Sequence, residues 1–217
     1  MARRALPITA AALTTTAALL LTACGGSGEE SSSDDIKGAD TGSSSPSASA
    51  SASSSPDVKR PEIALPSTFQ LTFENWKSSD PDEQAVLNDG KEELRSGYAA
   101  IIENDPDSEA LAFYHTEGGL SQAREWIRSY TDKNVTVIGK LPVFDPEVTI
   151  GDGKKNASLS YCTDETDAAT KNRNTGKVVG NPAGTDPEVF YVISLTRNSQ
   201  GVWQTVSARS ERGGCSR

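Results

Sequence analysis

The stretch NVTVIGKLPVFDPEVTI, Asn134–Ile150, decides the fold, because here the apolar period changes from the helical spacing to two. Val135, Val137 and Leu141 alternate with polar or small residues and predict one strand. Val143 to Ile150 predicts a second, interrupted by Pro146, which cannot donate to a sheet ladder. Upstream the apolar spacing is helical. Asp80 can cap a helix, Pro81 suits its first position and Glu83 its third. Leu87, Leu94, Tyr98, Ile101 and Ile102 then share a face. Gly90 and Gly97 weaken that helix but allow close packing against a sheet. Asn104-Asp105-Pro106 ends it. Ser108 to His115 reads as a short helix broken by Gly118-Gly119, and Ala123, Trp126, Ile127 and Tyr130 mark a third. Before all of these, Phe69, Leu71 and Phe73 form a short extended arm or edge strand.

Downstream, Gly151-Asp152-Gly153 turns the chain into a strand over 157–163. Residues 164–186 read as a polar excursion with little to bury. The runs 189–196 and 202–210 form a hairpin around Asn198-Ser199-Gln200-Gly201. Helices first and strands after predict an α+β domain, with helices packed on a curved antiparallel sheet of about five strands.

This order resembles the nuclear transport factor 2-like (cystatin-like) cone fold. The chain is similar to secreted lipoproteins of actinobacteria with that shape. The residues that carry the resemblance are FENWKSSDPDEQAVLNDG (73–90), QAREWI (122–127), LSYCTDE (159–165), TGKVV (175–179) and GVWQTVSARSERGGC (201–215). The resemblance implies a fold and an address, not a reaction.

The address is written at the amino end. Arg3 and Arg4 precede an uncharged, Ala-rich run from Leu6 to Leu21, too short for a permanent membrane span. Leu21-Thr22-Ala23-Cys24 resembles a bacterial lipobox, so residues 1–23 are expected to be a signal peptide and Cys24 to be lipidated. The route, general or twin-arginine, stays open. A diacylglyceryl group carries two chains, enough for stable anchoring without a spanning helix. Residues 24–60 are Ser-rich with almost nothing to bury, so they are expected to be a flexible tether spanning roughly 30–35 Å. An O-glycosylated stalk is the alternative. The folded domain is expected over 61–217, lipid-anchored at the extracytoplasmic face of the cell membrane.

The chain carries a net charge of −9. Loss of residues 1–23 removes two arginines and no acid. Nucleic acid is therefore excluded as a partner, since phosphate binding needs a basic face. Cys162 and Cys215 are the only cysteines left after lipidation of Cys24, and export places them where disulfides persist. A bridge between them is expected to pin the tail 211–217 to the sheet. No Cys-x-x-Cys spacing, paired-carboxylate signature or Gly-x-Ser-x-Gly is present. No cofactor and no metal is expected. Asp164, Glu165 and Asp167 lack the ligand spacing of an EF-hand loop.

Four residues are candidates for a pocket inside the cone: His115, Tyr161, Asp164 and Trp203. Trp76, Trp126 and Trp203 would suit an apolar ligand there, though large aromatics are most often core. His115, the sole histidine, is expected at a helix end, exposed or half-buried, with no carboxylate beside it; no residue is assigned as catalytic. The expected function is that of a non-enzymatic, anchored envelope protein that binds a protein or small ligand at the open sheet face. The alternatives are a small-molecule binder or acid–base enzyme using the cone pocket, and an accessory subunit of an envelope transport system.

Overall fold

The computed structural model describes residues 58–215. The first strand, β1, covers Phe69–Phe73 and is followed by helix α1, Pro81–Glu103. As its sequence dictates, α1 starts at Asp80, whose side chain accepts the N–H groups of Asp82 and Glu83, two donors that no intrahelical carbonyl can satisfy. It stops at Asn104, which adopts left-handed geometry at φ 60°. A five-residue helix, α2 (Glu109–Phe113), is capped by Ser108. The next, α3 (Glu117–Thr131), is capped by Thr116. Gly118 and Gly119 thus lie in the first turn of α3 rather than breaking a helix. Gly119 lets that turn lie directly on a strand: a Cβ there would sit 2.0 Å from the carbonyl oxygen of Thr205.

The sheet is built from β2 (Val135–Ile150), β3 (Asn156–Asp164), β4 (Ala168–Asn172), β5 (Val178–Val179), β6 (Glu188–Arg197) and β7 (Trp203–Arg212), in the order β5-β4-β2-β3-β6-β7. These neighbours pair antiparallel, and β1 lies parallel to β2 with Phe69 opposite Gly139. The architecture is α+β, three helices packed on a curled sheet. Two expectations are corrected. The two strands read from Asn134 to Ile150 are one 16-residue strand. Pro146 sits in an irregularity between Phe144 and Glu147, beside Asp145 at φ 49°, so the missing N–H bends the strand without ending it. The excursion 164–186 contains β4 and β5, so the antiparallel strands number six and β1 makes seven. Both are short and β4, Ala-Ala-Thr-Lys-Asn, has no apolar alternation to announce it.

The core lies between α1 and the sheet. Val86 and Leu87 of α1 pack with Trp76, Leu159, Tyr161, Ile193, Leu195 and Trp203. Farther along α1, Tyr98, Ala100 and Ile101 pack with Phe69, Leu111, Ile127, Val137 and Leu141. Val86, Ile101, Leu111 and Ile127 are wholly buried, each stabilising by about 1.5–3 kcal/mol relative to exposure. Of the two α1 glycines, Gly90 faces Leu159 of the sheet, whereas Gly97 faces the indole of Trp126 on α3.

Cys162 and Cys215 are bonded, with Cα atoms 6.1 Å apart. In the ladder Cys162 stands between Phe144 and Phe190, and the tail crosses so close to Phe190 that a Cβ on Gly214 would lie 3.0 Å from it. The bridge therefore holds the tail over an apolar row of the sheet. Cys24, with the expected signal peptide and most of the tether, lies outside the described residues. Arg60, at the end of the expected tether, is ion-paired with Asp89 of α1, and the Ile63 carbonyl accepts from Arg95 at 2.6 Å. The approach to the domain thus runs beside α1.

Candidate functional site

Glu93 and His115 meet inside the fold. Asp89 and Glu93 are one turn apart on α1 and so point the same way. Asp89 is spent on structure: it accepts from Arg60 and, at 2.9 Å, from the backbone N–H of Trp203. Glu93 is not. Its Oε1 lies 3.1 Å from Nε2 of His115, and its second oxygen has no hydrogen-bond partner among the described residues.

His115 is placed by the strand it follows. The Thr205 N–H donates to the Tyr114 carbonyl at 2.9 Å, and the Thr116 N–H donates to the Thr205 carbonyl at 3.0 Å. The Gln204 amide donates to the carbonyls of Phe113 and His115. These bonds clamp residues 113–116 along β7 and turn the imidazole inward. His115 is 5% exposed, which overturns the expectation of an open position at a helix end with no carboxylate near. Five residues of α2 leave no long helix for His115 to terminate; β7 sets its direction instead.

Both ring nitrogens are occupied. Nδ1 lies 2.8 Å from the Leu111 carbonyl, which only accepts, so Nδ1 carries a hydrogen. Nε2 and Glu93 then share one further proton. Burial works to lower the His115 pKa, but the hydrogen bond and charge of Glu93, with the Leu111 carbonyl, outweigh it and leave the value raised. The pairing therefore favours the imidazolium form of His115 beside the carboxylate. The oxygen of Glu93 that does not face His115 is the acceptor left for a ligand.

The pair lies in the wall of a pocket of about 210 Å³ between α1, α3 and the sheet. Its apolar sides include Leu94, Tyr98, Trp126, Tyr161, Tyr191 and Ile193, and Thr163, Arg209 and Ser210 are among its polar lining. Tyr161 and Tyr191 stack at 5.2 Å. Burial pushes the phenols of Tyr98, Tyr161 and Tyr191 upward, so all three keep their protons at neutral pH.

Of the four sequence candidates, His115 and Tyr161 line this pocket, and Asp164 and Trp203 do not. Asp164 stands at the end of β3, where it accepts from the N–H and hydroxyl of Thr166 and shapes the turn into β4. Trp203 is 1% exposed and packs in the core with Val86 and Leu195. Trp76 is core as well, leaving Trp126 as the tryptophan at the pocket. Glu93 was not foreseen. The available signal is that Val86, Asp89, Glu93, Gly97 and Ala100 form one helical row, so two acids stand among core positions.

No protein-family model and no curated protein matches the chain. Similar solved structures include a ketosteroid isomerase-like protein from Erwinia carotovora atroseptica, at 15% identity and a TM-score of 0.42 over 60% of this chain and 95% of that one. ActVI-ORFA from Streptomyces coelicolor is 8% identical, with a TM-score of 0.41 over 61% and 98%. The intermembrane space region of the chloroplast protein ARC6 is 6% identical, with a TM-score of 0.42 over 60% and 96%.

Proposed function

We propose that the domain binds a small, largely apolar molecule in the cone pocket and exchanges a proton or hydrogen bond with it through Glu93, with His115 as the positioning residue. The observation that carries this reading is the 3.1 Å Glu93–His115 contact in the wall of a pocket whose lining is largely aromatic and aliphatic, with Thr205 and Arg209 among its polar members. A carboxylate facing such a pocket is costly unless its charge is balanced. His115 supplies the balance and keeps Glu93 available for a ligand. Acid–base work of this kind needs no redox group.

In the same proposal a lipid on Cys24 tethers the domain to the extracytoplasmic face of the membrane, and an envelope protein is the partner that delivers or receives the ligand. Cys24→Ala should then release the protein from the membrane fraction or leave it unprocessed; continued processing and retention would overturn the anchor.

The pocket reading is tested by two-dimensional amide NMR with neutral ring compounds: phenol, cyclohexanol, toluene and 2-naphthol. We expect saturable shifts centred on His115, Ala123 and Ile193. Glu93→Gln should weaken the hydroxylated compounds and spare toluene. If none of the four perturbs those residues, the reading fails.

A further inference from the structure

Resting on that reading, we infer that the pocket is built for a single-ring compound bearing one hydroxyl, a phenol-class ligand, and that Thr205 is the second group that grips it.

Size is the first argument. A cavity of about 150 Å³ lined by apolar side chains accommodates benzene, and pockets for drug-sized ligands begin near 300 Å³. At about 210 Å³ this pocket takes one ring with one or two further heavy atoms, and a second fused ring exceeds it. Its walls have little room to retreat. The Trp126 indole lies against α1 so closely that a Cβ on Gly97 would meet it at 2.8 Å. It also meets Tyr98 edge-on, with ring centres 5.4 Å apart. The start of α3 is held against β7 by the Gly119–Thr205 contact. Tyr161 and Tyr191 brace each other by stacking.

Polarity is the second argument. Thr205 is 3% exposed, lines the pocket and is bridge-paired with His115. Its Oγ1 is buried and has no hydrogen-bond partner among the described residues. A buried hydroxyl left unmade is unfavourable, and here it lines the same pocket as a carboxylate that also has an idle oxygen. One ligand hydroxyl satisfies both, donating to Glu93 and accepting from Thr205. A ligand carboxylate is disfavoured relative to a hydroxyl, because it sets a second negative charge against Glu93 with His115 already paired, and Arg209 in the lining offsets only part of that.

The experiment titrates the mature protein with phenol, toluene, benzoate and 2-naphthol and reads dissociation constants from the NMR shifts. Phenol should bind tightest. Toluene should bind about three- to tenfold more weakly, for want of the hydrogen bonds. 2-Naphthol should bind at least about tenfold more weakly than phenol, because overfilling a packed site is unfavourable. Benzoate should bind at least about tenfold more weakly than phenol at neutral pH. Thr205→Val should weaken phenol by about three- to tenfold and leave toluene unchanged, and Thr205→Ser should restore phenol binding. 2-Naphthol or benzoate binding as tightly as phenol overturns the inference, as does a Thr205→Val protein that keeps full phenol affinity; all of these leave the pocket reading intact. Should Thr205→Val not fold, the ranking of ligands on the unmodified protein still decides. Failure of all four compounds instead sinks the pocket reading itself.

Discussion

The carboxylate of Asp89 accepts the backbone N–H of Trp203 at 2.9 Å, joining the middle of α1 to the first residue of β7 across 114 positions of the chain. The same carboxylate takes Arg60. Burial raises the Asp89 pKa, and the Trp203 N–H and Arg60 offset only part of that. A raised folded value means that the proton favours the fold. The contribution is present below the unfolded value near 3.9 and lost as pH rises through the folded one. At neutral pH the charge is therefore a burden while the acceptor is an asset. Asp89→Asn, which keeps a carbonyl for Trp203, should cost under about 1 kcal/mol. Asp89→Ala leaves the Trp203 N–H buried and alone, and should cost about 1–3 kcal/mol. Denaturant midpoints at pH 7 measure both; equal losses would sink the argument.

Arg60→Ala tests the other half of this arrangement. Losing one partner of a fully buried ion pair costs about 3–5 kcal/mol. Arg60 is 36% exposed, and water screens the pair, so about 1–2 kcal/mol is expected. The loss should shrink in the Asp89→Asn background, where there is no charge left to abandon. A double-mutant cycle gives the number, and a loss that is the same in both backgrounds speaks against the pairing.

The Cys162–Cys215 bridge closes 53 residues. The loop-entropy relation gives about 4 kcal/mol for such a length, and native bridges in small secreted domains contribute about 2–5 kcal/mol. Cys162→Ala should lower stability within that range and lift hydrogen-exchange protection first around Phe190, beneath the tail. Addition of reductant should reproduce the loss in the unmodified protein and leave Cys162→Ala unmoved.

What could be read in the sequence followed the strength of local signals. Asp80, Pro81 and Asn104 mark both ends of α1 because capping is decided within four residues. The β6–β7 turn announces itself through Asn198, whose side chain accepts from the N–H groups of Gln200 and Val202. What failed to announce itself depends on distant chain. The strand β4 exists because β2 offers it an edge, not because Ala168–Asn172 favours extension. The site was half legible. His115 and Tyr161 could be singled out as types, but Glu93 acquires its role only when β7 turns His115 toward α1. The direction of a side chain after a five-residue helix is set by a hydrogen bond to Thr205, 89 residues away.

Adjacent glycines of α3 separate propensity from packing. A Cβ on Gly118 meets nothing within 4 Å, whereas one on Gly119 would lie 2.0 Å from the oxygen and 2.9 Å from the carbon of the Thr205 carbonyl. Backbone cannot step aside as a flexible side chain can. Gly118→Ala should stabilise by about 0.5–1 kcal/mol, the helical preference for alanine. Gly119→Ala should destabilise by about 1–3 kcal/mol or more as α3 is levered off β7. Thermal unfolding of the two variants checks this, and a common sign would refute the close approach.

His115 offers the most direct physical measurement, because it is the sole histidine and gives one titrating ring signal. Burial alone would hold its pKa below the ordinary value near 6.5. The bond to Glu93 and its charge, with the Leu111 carbonyl, reverse that and raise it. The midpoint of the ring Hε1 shift should therefore lie above 6.5 in the unmodified protein and below 6.5 in Glu93→Gln, where burial acts with no carboxylate to oppose it. Stability carries the same sign. A raised folded value gives a contribution that is complete below about 6.5 and lost as pH climbs through the folded midpoint. The unmodified protein should weaken over that window, and His115→Gln should not. Because a phenol-class ligand would use the free oxygen of Glu93 without taking the Nε2 contact, saturating phenol should move the midpoint far less than Glu93→Gln does. A midpoint below 6.5 in the unmodified protein would mean that the 3.1 Å contact carries no shared proton, and Glu93 would lose its claim to act as a base.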